Sequence, residues 1–410
     1  IPLLYKQQRF LEADRIVRAM EERQVPLSAD VDRLASTINL QLENYDRALD
    51  MARRAAENST DYRDHAWYGT VLSVLANRAQ STGQSPDVER NLSLAEAEFR
   101  KAVELSPKTP EAWVALMQFY ARSGQKEKAE AVIQETRAAL EGGLAPLALG
   151  QCYETLQNLD EAERYYQEAL TTSPSDTQVI RQVAEFYLRT GRTESAVTQI
   201  SRLTGGEVQA KQEDVAWGRR AMALLLANRG GYENLQKGLS LMQQNRAGGA
   251  GTIQDARAEA LLLSSHPLRR ERNKAREILE RLVAESPQVT PDDRFVLAQL
   301  YMADGDVVNA ARHMRSLLAF HGNEPRYVQR FVSFLIQQED FSEAEVWQKR
   351  LEALAPDAFS TVSLRARLLV EQGQDDAALS LLKGYAEQAP ASAETAGVPA
   401  SDPGPQTGEG

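Results

Sequence analysis

The chain is poor in the residues that most often carry chemistry. Among 410 residues there is one cysteine and there are four histidines. A lone cysteine excludes an internal disulfide framework and points to neither an oxidising nor a reducing compartment. His65, His266, His313 and His321 form no His-Glu-x-x-His motif, and together with Cys152 they show no metal-ligand spacing. Each histidine therefore reads as a structural or solvated residue. Cys152 reads as a small buried one, because a reactive thiol needs a base or a positive charge beside it. Long apolar runs are missing too. The 221–227 stretch is typical of the longest, far short of the roughly 20 residues that a membrane-spanning helix needs. No charged, then apolar, then small-residue leader opens the chain, which starts at Ile1, so cytoplasm and periplasm both stay open. Nucleophile elbows, paired catalytic carboxylates and nucleotide fingerprints are absent, and Gly248-Gly249-Ala250-Gly251 lacks the lysine and the strand of a phosphate loop. No catalytic residue, cofactor site or metal site is expected.

Positive charge is also in deficit. Lys and Arg number 47 against 58 Asp and Glu, a net charge of -11 with a pI near 5.2. Such a balance disfavours nucleic acid or an anionic membrane as a partner, since both need a concentrated basic face. The densest basic cluster, Arg269, Arg270, Arg272, Lys274 and Arg276, is interleaved with Glu271, Glu277 and Glu280, a pattern of pairing along a helix face.

What is abundant is alanine in a fixed context. Ala95, Ala129, Ala162 and Ala196 are spaced by 34, 33 and 34 residues, and Ala310, Ala344 and Ala378 by 34 and 34. That period is one helical hairpin. Reading Ala112, Trp113, Tyr120, Gly124, Ala129 and Ile133 in order places small and aromatic residues where two antiparallel helices touch. Eleven repeats or partial repeats are anchored near Ala13, Ala48, Ala95, Ala129, Ala162, Ala196, Leu235, Ala275, Ala310, Ala344 and Ala378.

Helix ends are signalled as well. Thr109-Pro110-Glu111 and Thr290-Pro291-Asp292-Asp293 offer a hydroxyl at the N-cap, a proline where its missing N–H costs nothing, and carboxylates at the positive end of the helix. First helices are expected to end at Gly124, Gly191, Gly305 and Gly373 in the left-handed conformation, with Asn44 and Asn158 beside the equivalent position elsewhere. Second helices close at Ser-Pro or Ala-Pro pairs such as Ser106-Pro107 and Ser173-Pro174. The frame loosens around 77–90, where about a dozen polar residues extend the turn or the helix ends, around Gly230-Gly231 and 245–252, and at His266-Pro267. The expected organisation is an array over 1–203, a degenerate repeat and flexible connector over 204–252, a second array over 253–390, and a disordered tail rich in Pro, Gly, Ser and Ala over 391–410.

This pattern resembles the tetratricopeptide repeat (TPR), whose hairpins follow W-x2-L-G-x2-Y and then A-x3-F, A and P. The fifth repeat matches with Leu149-Gly150, Tyr153, Ala162, Tyr166, Ala169 and Pro174, and the fourth with Trp113, Tyr120, Gly124 and Ala129. In density of repeats the chain also resembles portions of very long bacterial repeat proteins. The first resemblance implies an all-α, right-handed superhelical solenoid of antiparallel hairpins, whose concave face is lined by first helices and receives a protein or an extended peptide. Mapped onto this chain, that face carries Val114, Gln118, Arg122, Gln151, Arg181, Glu185, Arg189, Phe295, Gln299, Gln329 and Gln337. Family members that clamp a chaperone's terminal carboxylate use Asn and Lys where this chain has Gln118, Gln151 and Gln299 without a paired lysine, and the asparagine ladder of sugar-transferase arrays is replaced by Ala115, Ala148 and Gln182. Trp67, Trp113 and Trp217, at or near first-helix starts, and Trp347, on a second helix, read as packing residues more than as exposed anchors.

The functional expectation is a non-catalytic interaction scaffold. Its alternative is an assembly or spacer segment of a larger protein, accessory to a catalytic or envelope-anchored domain outside the chain. Counting back from Ala13 by the 18 residues between Glu111 and Ala129 passes beyond Ile1, so the first hairpin reads as truncated, and uncapped array ends favour fraying or self-association. Amide exchange is accordingly expected to be much faster over 3–20 than over 112–169, and uniform protection in a monomer would refute that reading.

Overall fold

The computed structural model describes residues 1–6, 9–81, 83, 85–140, 144–249, 251–286 and 289–388. The tail expected to be disordered, 391–410, lies outside the described residues. Among the described residues every regular element is an α-helix, and there are 22 of them. The first hairpins are α1 (Pro2–Lys6) with α2 (Phe10–Glu22), α3 (Ala29–Gln41) with α4 (Tyr45–Ala56), and α5 (Tyr62–Ser81) with α6 (Ser85–Leu105). They continue as α7 (Pro110–Arg122) with α8 (Lys126–Ala139), α9 (Leu144–Thr155) with α10 (Leu159–Thr172), and α11 (Thr177–Arg189) with α12 (Thr193–Thr204). Then come α13 (Gln212–Arg229) with α14 (Tyr232–Ala247), α15 (Ile253–Ser264) with α16 (Arg269–Glu285), and α17 (Pro291–Asp304) with α18 (Val307–His321). The last two are α19 (Pro325–Gln337) with α20 (Phe341–Leu354), and α21 (Phe359–Glu371) with α22 (Asp375–Gln388).

Every one of the eleven anchor residues falls on the second helix of a hairpin. Ten are alanines and one is Leu235, and all are buried, nine of the alanines with no exposed area at all and Leu235 at 7%. At the ten alanine anchors a methyl group fits where the paired helices cross closely. Glycines on first helices meet the residue four places after the anchor. A Cβ added at Gly150 would stand 2.8 Å from the Tyr166 ring, and one at Gly69 would stand 2.9 Å from Phe99. Tyr166 follows Ala162 by four residues and Phe99 follows Ala95 by four, so one turn of the second helix carries both the methyl and the ring that fill the crossing.

The loosened places in the frame are corners set between helices, and most of the sequence around them is helical. The polar insertion around 77–90 lengthens both arms of its hairpin, giving α5 20 residues and α6 21. The 204–252 segment, expected to include a flexible connector, contains the hairpin of α13 and α14, and Asn245 within it is buried and helical. The charged stretch after His266-Pro267 forms the opening turns of α16. Contacts within the chain divide it into two compact units, Ile1–Gln288 and Val289–Gly410.

Turn chemistry follows the sequence with instructive exceptions. Gly124, Gly191, Gly305 and Gly373 all adopt positive φ, between 72° and 78°. In three other hairpins the same corner is taken by Glu43, Gln157 and Glu339, at φ of 58° to 60°, where side chains are uncommon. Thr290 forms a reciprocal capping box with Asp293, as does Thr252 with Asp255. Thr109 does not: it occupies the N-cap, but its hydroxyl makes no capping bond.

Replacing Ala162 by Leu is expected to overpack the crossing of α9 and α10 and to destabilise by about 1–3 kcal/mol. A urea midpoint equal to that of the parent chain would contradict the assigned register.

Candidate binding groove

In unit Ile1–Gln288 the first helices do more than pair with their own second helices. α3 packs on α5, α5 on α7, α7 on α9, α11 on α13 and α13 on α15, so first helices form one row, while second helices meet mainly their own partner and the next first helix. A row whose members approach one another more closely lies on the inside of a curved stack. That inner face bears three clefts, each along neighbouring first helices.

The central cleft, of about 770 Å³, runs across α7, α9 and α11. Val114, Gln118, Arg122, Gln151 and Arg189 line it, so five of the sequence-predicted residues share one cavity. Lys126, Glu154, Thr155 and Gln157, which sequence reasoning did not select, complete the wall. They escaped because they sit at the last turn of α9, in the corner after it, or at the first residue of α8, outside the family's groove positions. On one side a smaller cleft of about 120 Å³ between α5 and α7 shares Gln118 and Arg122 with the first, and adds Thr70, Ser73 and Asn77. On the other side a cleft of about 500 Å³ between α11 and α13 shares Arg189, and is walled by Glu185, Leu188, Trp217, Arg220 and Leu224. The three are thus joined through common side chains.

The polar residues of this face fall into two groups. In the first, charges are consumed holding hairpins together. Arg189 grips Glu154 with two hydrogen bonds, Nε to Oε1 at 2.8 Å and Nη2 to Oε2 at 2.9 Å, and Tyr166 donates to the same carboxylate at 2.8 Å. The bonds to Glu154 raise the Arg189 pKa above its ordinary value, against the effect of burial. Burial, with Glu154 as neighbour, drives the Tyr166 phenol far above its usual range, so it stays a donor. Arg181 bonds Glu185 at 3.1 Å and Asp214 of the next hairpin at 3.2 Å, and its guanidinium lies 5.0 Å from the centre of the Trp217 ring. Arg220 reaches Asp255 at 2.8 Å in the same manner. Gln151 donates to Gln182 at 2.7 Å, tying α9 to α11.

In the second group nothing is consumed. The side chains of Gln118, Arg122 and Lys126 make no hydrogen bond or ion pair among the described residues, although their neighbours do. Arg122 and Lys126 are exposed, and Gln118 is half-buried.

The remaining sequence-predicted residues lie on the other unit. Phe295 and Gln299 are on α17, and Gln329 and Gln337 on α19. Phe295 is half-buried against Tyr327, ring centres 4.9 Å apart, and Gln337 is exposed at the end of its helix.

Cys152 sits on α9 behind the groove wall. It is fully buried, and burial pushes its thiol pKa up to about 12, which keeps it protonated. Three of the four histidines serve packing. His65 pairs with Glu98 at 2.7 Å, the ring nitrogen of His266 accepts from the Leu268 N–H at 3.1 Å, and His313 stacks on Tyr301. Trp67 and Trp113 anchor toward the preceding hairpin, donating to Ser36 at 2.9 Å and to the Pro107 carbonyl at 2.7 Å, and Trp347 sets its ring edge-on to Phe331. Trp217 differs, since one side of it faces the α11–α13 cleft. The basic cluster of α16 is locally paired, with Lys274 on Glu271 at 2.7 Å and Arg276 on Glu280 at 3.5 Å.

Two arginines on one face should therefore respond differently to truncation. Arg181→Ala leaves the nearly buried Asp214 carboxylate with the Thr177 hydroxyl but no countercharge from Arg181 and is expected to cost about 1–2 kcal/mol, whereas Arg122→Ala should stay within about 0.5 kcal/mol of the parent. Chemical denaturation of the two variants side by side checks this, and equal losses would contradict the grouping.

Residues 147–176 match the family model of the tetratricopeptide repeat, and they span most of α9 and all of α10. No curated protein matches the chain. Among solved structures, the Cut9–Hcn1 hetero-tetramer of the APC/C is similar at 13% identity over 83% of this chain and 76% of that one, with a TM-score of 0.49. The human IFIT1 dimer with PPP-AAAA is similar at 14% identity over 94% of both chains, with a TM-score of 0.43. TTC0263, a thermophilic TPR protein of Thermus thermophilus, is similar at 22% identity over 45% of this chain and 94% of that one, with a TM-score of 0.32. At these scores none of the likenesses says what this chain binds.

Proposed function

We propose that this protein is a non-catalytic scaffold that receives a segment of another protein along the inner face of unit Ile1–Gln288, across α5 to α13. Tetratricopeptide repeats suggest an interaction role in general, and no helix among the described residues is long and apolar enough to cross a membrane. The observation that carries the finer reading is the joining of three clefts through Gln118, Arg122 and Arg189. A run of connected clefts with amide walls suits an extended backbone, whose N–H and C=O groups need partners every few ångströms. Gln118 and Gln157 lie on that run and offer both donors and acceptors.

A display library of random 12-residue peptides, selected on the full chain, tests the proposal. The competitor is a variant carrying Gln118→Ala, Arg122→Ala and Lys126→Ala. A pool that binds the parent chain and not the variant, with helicity and melting preserved in the variant, is the expected result. Pools that bind both equally would place the interaction surface elsewhere.

A further inference from the structure

Charge on this protein is distributed against its own groove. The chain carries -11 overall, yet the side chains of the central cleft comprise Arg122, Lys126 and Arg189 against Glu154 alone. Glu154 is already neutralised by Arg189 and capped by the Tyr166 hydroxyl. The cleft therefore presents Arg122 and Lys126 as two cations with no partner among the described residues, on a molecule whose acids outnumber its bases. Unpaired surface cations are ordinary singly, but these two flank one cavity. The neighbouring cleft between α11 and α13 is of another kind: Leu188, Trp217, Leu224 and Leu225 give it an apolar floor, while its charges Glu185 and Arg220 are engaged with Arg181 and Asp255. Arg189 is the wall between the two, so an occupant of one runs directly into the other.

Resting on the scaffold reading, we infer that the segment received is acidic and then apolar: side-chain carboxylates seat against Arg122 and Lys126, and a bulky apolar residue a few positions along seats on Trp217 and Leu224. The carboxylates are those of Asp or Glu within a chain rather than a chain terminus, because clefts continue on both sides of the cationic pocket and the peptide has somewhere to go in each direction. Charge complementarity supplies the first contact. Two exposed cations in a cleft of an acidic molecule steer an acidic segment toward that cleft. Burial of the apolar side chain supplies what salt does not screen. Nucleic acid would also seek cations, but two of them make few phosphate contacts, and the surrounding negative field opposes a polyanion of uniform charge. An acidic segment with an apolar anchor meets both clefts; a polyphosphate backbone meets one.

Sequencing the selected peptides and titrating a fluorescein-labelled consensus peptide against the full chain tests this. The expected consensus is Asp or Glu followed by Leu, Phe or Trp. Affinity should fall about tenfold in the Arg122→Glu, Lys126→Glu double variant, as expected for reversing two exposed charges, and should weaken as salt rises. A peptide with Lys in place of its acids should gain on that variant, a reversal that simple unfolding would not produce. Leu224→Ser should weaken binding with the salt dependence unchanged. A groove-dependent pool with a basic or uncharged consensus would overturn the inference while leaving the scaffold reading standing. A pool that ignores the groove, or tighter binding of a 12-nucleotide uridine RNA than of the consensus peptide, would overturn both.

Discussion

The structure depends on how closely two helices approach at one recurring alanine. In ten of the eleven hairpins an alanine methyl lies where the second helix crosses its partner, and in most of them a ring or a larger apolar side chain one turn later fills the space beside it. This contact fixes the orientation of the hairpin, and the hairpin's orientation decides which faces are left for its neighbours. Ala162 and Tyr166 do so for the fifth hairpin; Ala95 and Phe99 do so for the third. The seventh hairpin shows how the contact tolerates exchange. It carries Leu235 at the anchor and a glycine, Gly238, three residues later, where a Cβ would meet the Ala223 carbonyl oxygen of α13 at 3.3 Å. The small residue has moved along the helix, and the close approach has moved with it.

Once the hairpins are oriented, charged residues settle the joints between them. Arg33 on Asp64, Arg181 on Asp214 and Arg220 on Asp255 each run from a first helix to a buried carboxylate in the opening turn of the next. That carboxylate serves twice, meeting the positive end of its own helix and the guanidinium of the previous repeat. A weak point lies in the middle hairpin of unit Val289–Gly410. Gln348 stands where other repeats place Phe99, Ile133, Tyr166 or Met314, and although its amide donates to Glu352 and to the Thr361 carbonyl, its own oxygen and the Thr361 hydroxyl find no partner. A buried amide half-satisfied in a core position costs more than the apolar residue it replaces.

Much of the fold was legible because the constraint is local. An alanine every 34 residues, with a glycine before it and an aromatic after it, is a statement about one hairpin, and the sequence contains the whole statement. Glycine corners were equally plain, since left-handed backbone has a preferred residue. The corners at Glu43, Gln157 and Glu339 were not, because nothing in an acidic or amide side chain announces positive φ. The groove was legible only as far as helix position. Val114, Gln118, Arg122, Gln151 and Arg189 were placed on one face and do share a cavity, yet the difference between a spent cation such as Arg189 and an unspent one such as Arg122 lies in a partner one repeat away. Offsets of 31 to 35 residues between Arg and an acid, as in Arg33 with Asp64 or Arg220 with Asp255, were present in the sequence, but Arg122 also stands 32 residues before Glu154, so spacing alone does not separate the two.

Those offsets bear on how the chain reaches its structure. The hydrogen bonds and ion pairs that join one hairpin to the next close loops of about one period, 31 residues for Gln151 with Gln182 and 35 for Glu154 with Arg189. Loop closure of that size is paid once per joint and does not grow with the number of hairpins. Relative contact order therefore falls as such an array lengthens, and any well-made hairpin is a place from which ordering spreads to the next. Length in this architecture adds binding surface without adding a slower search.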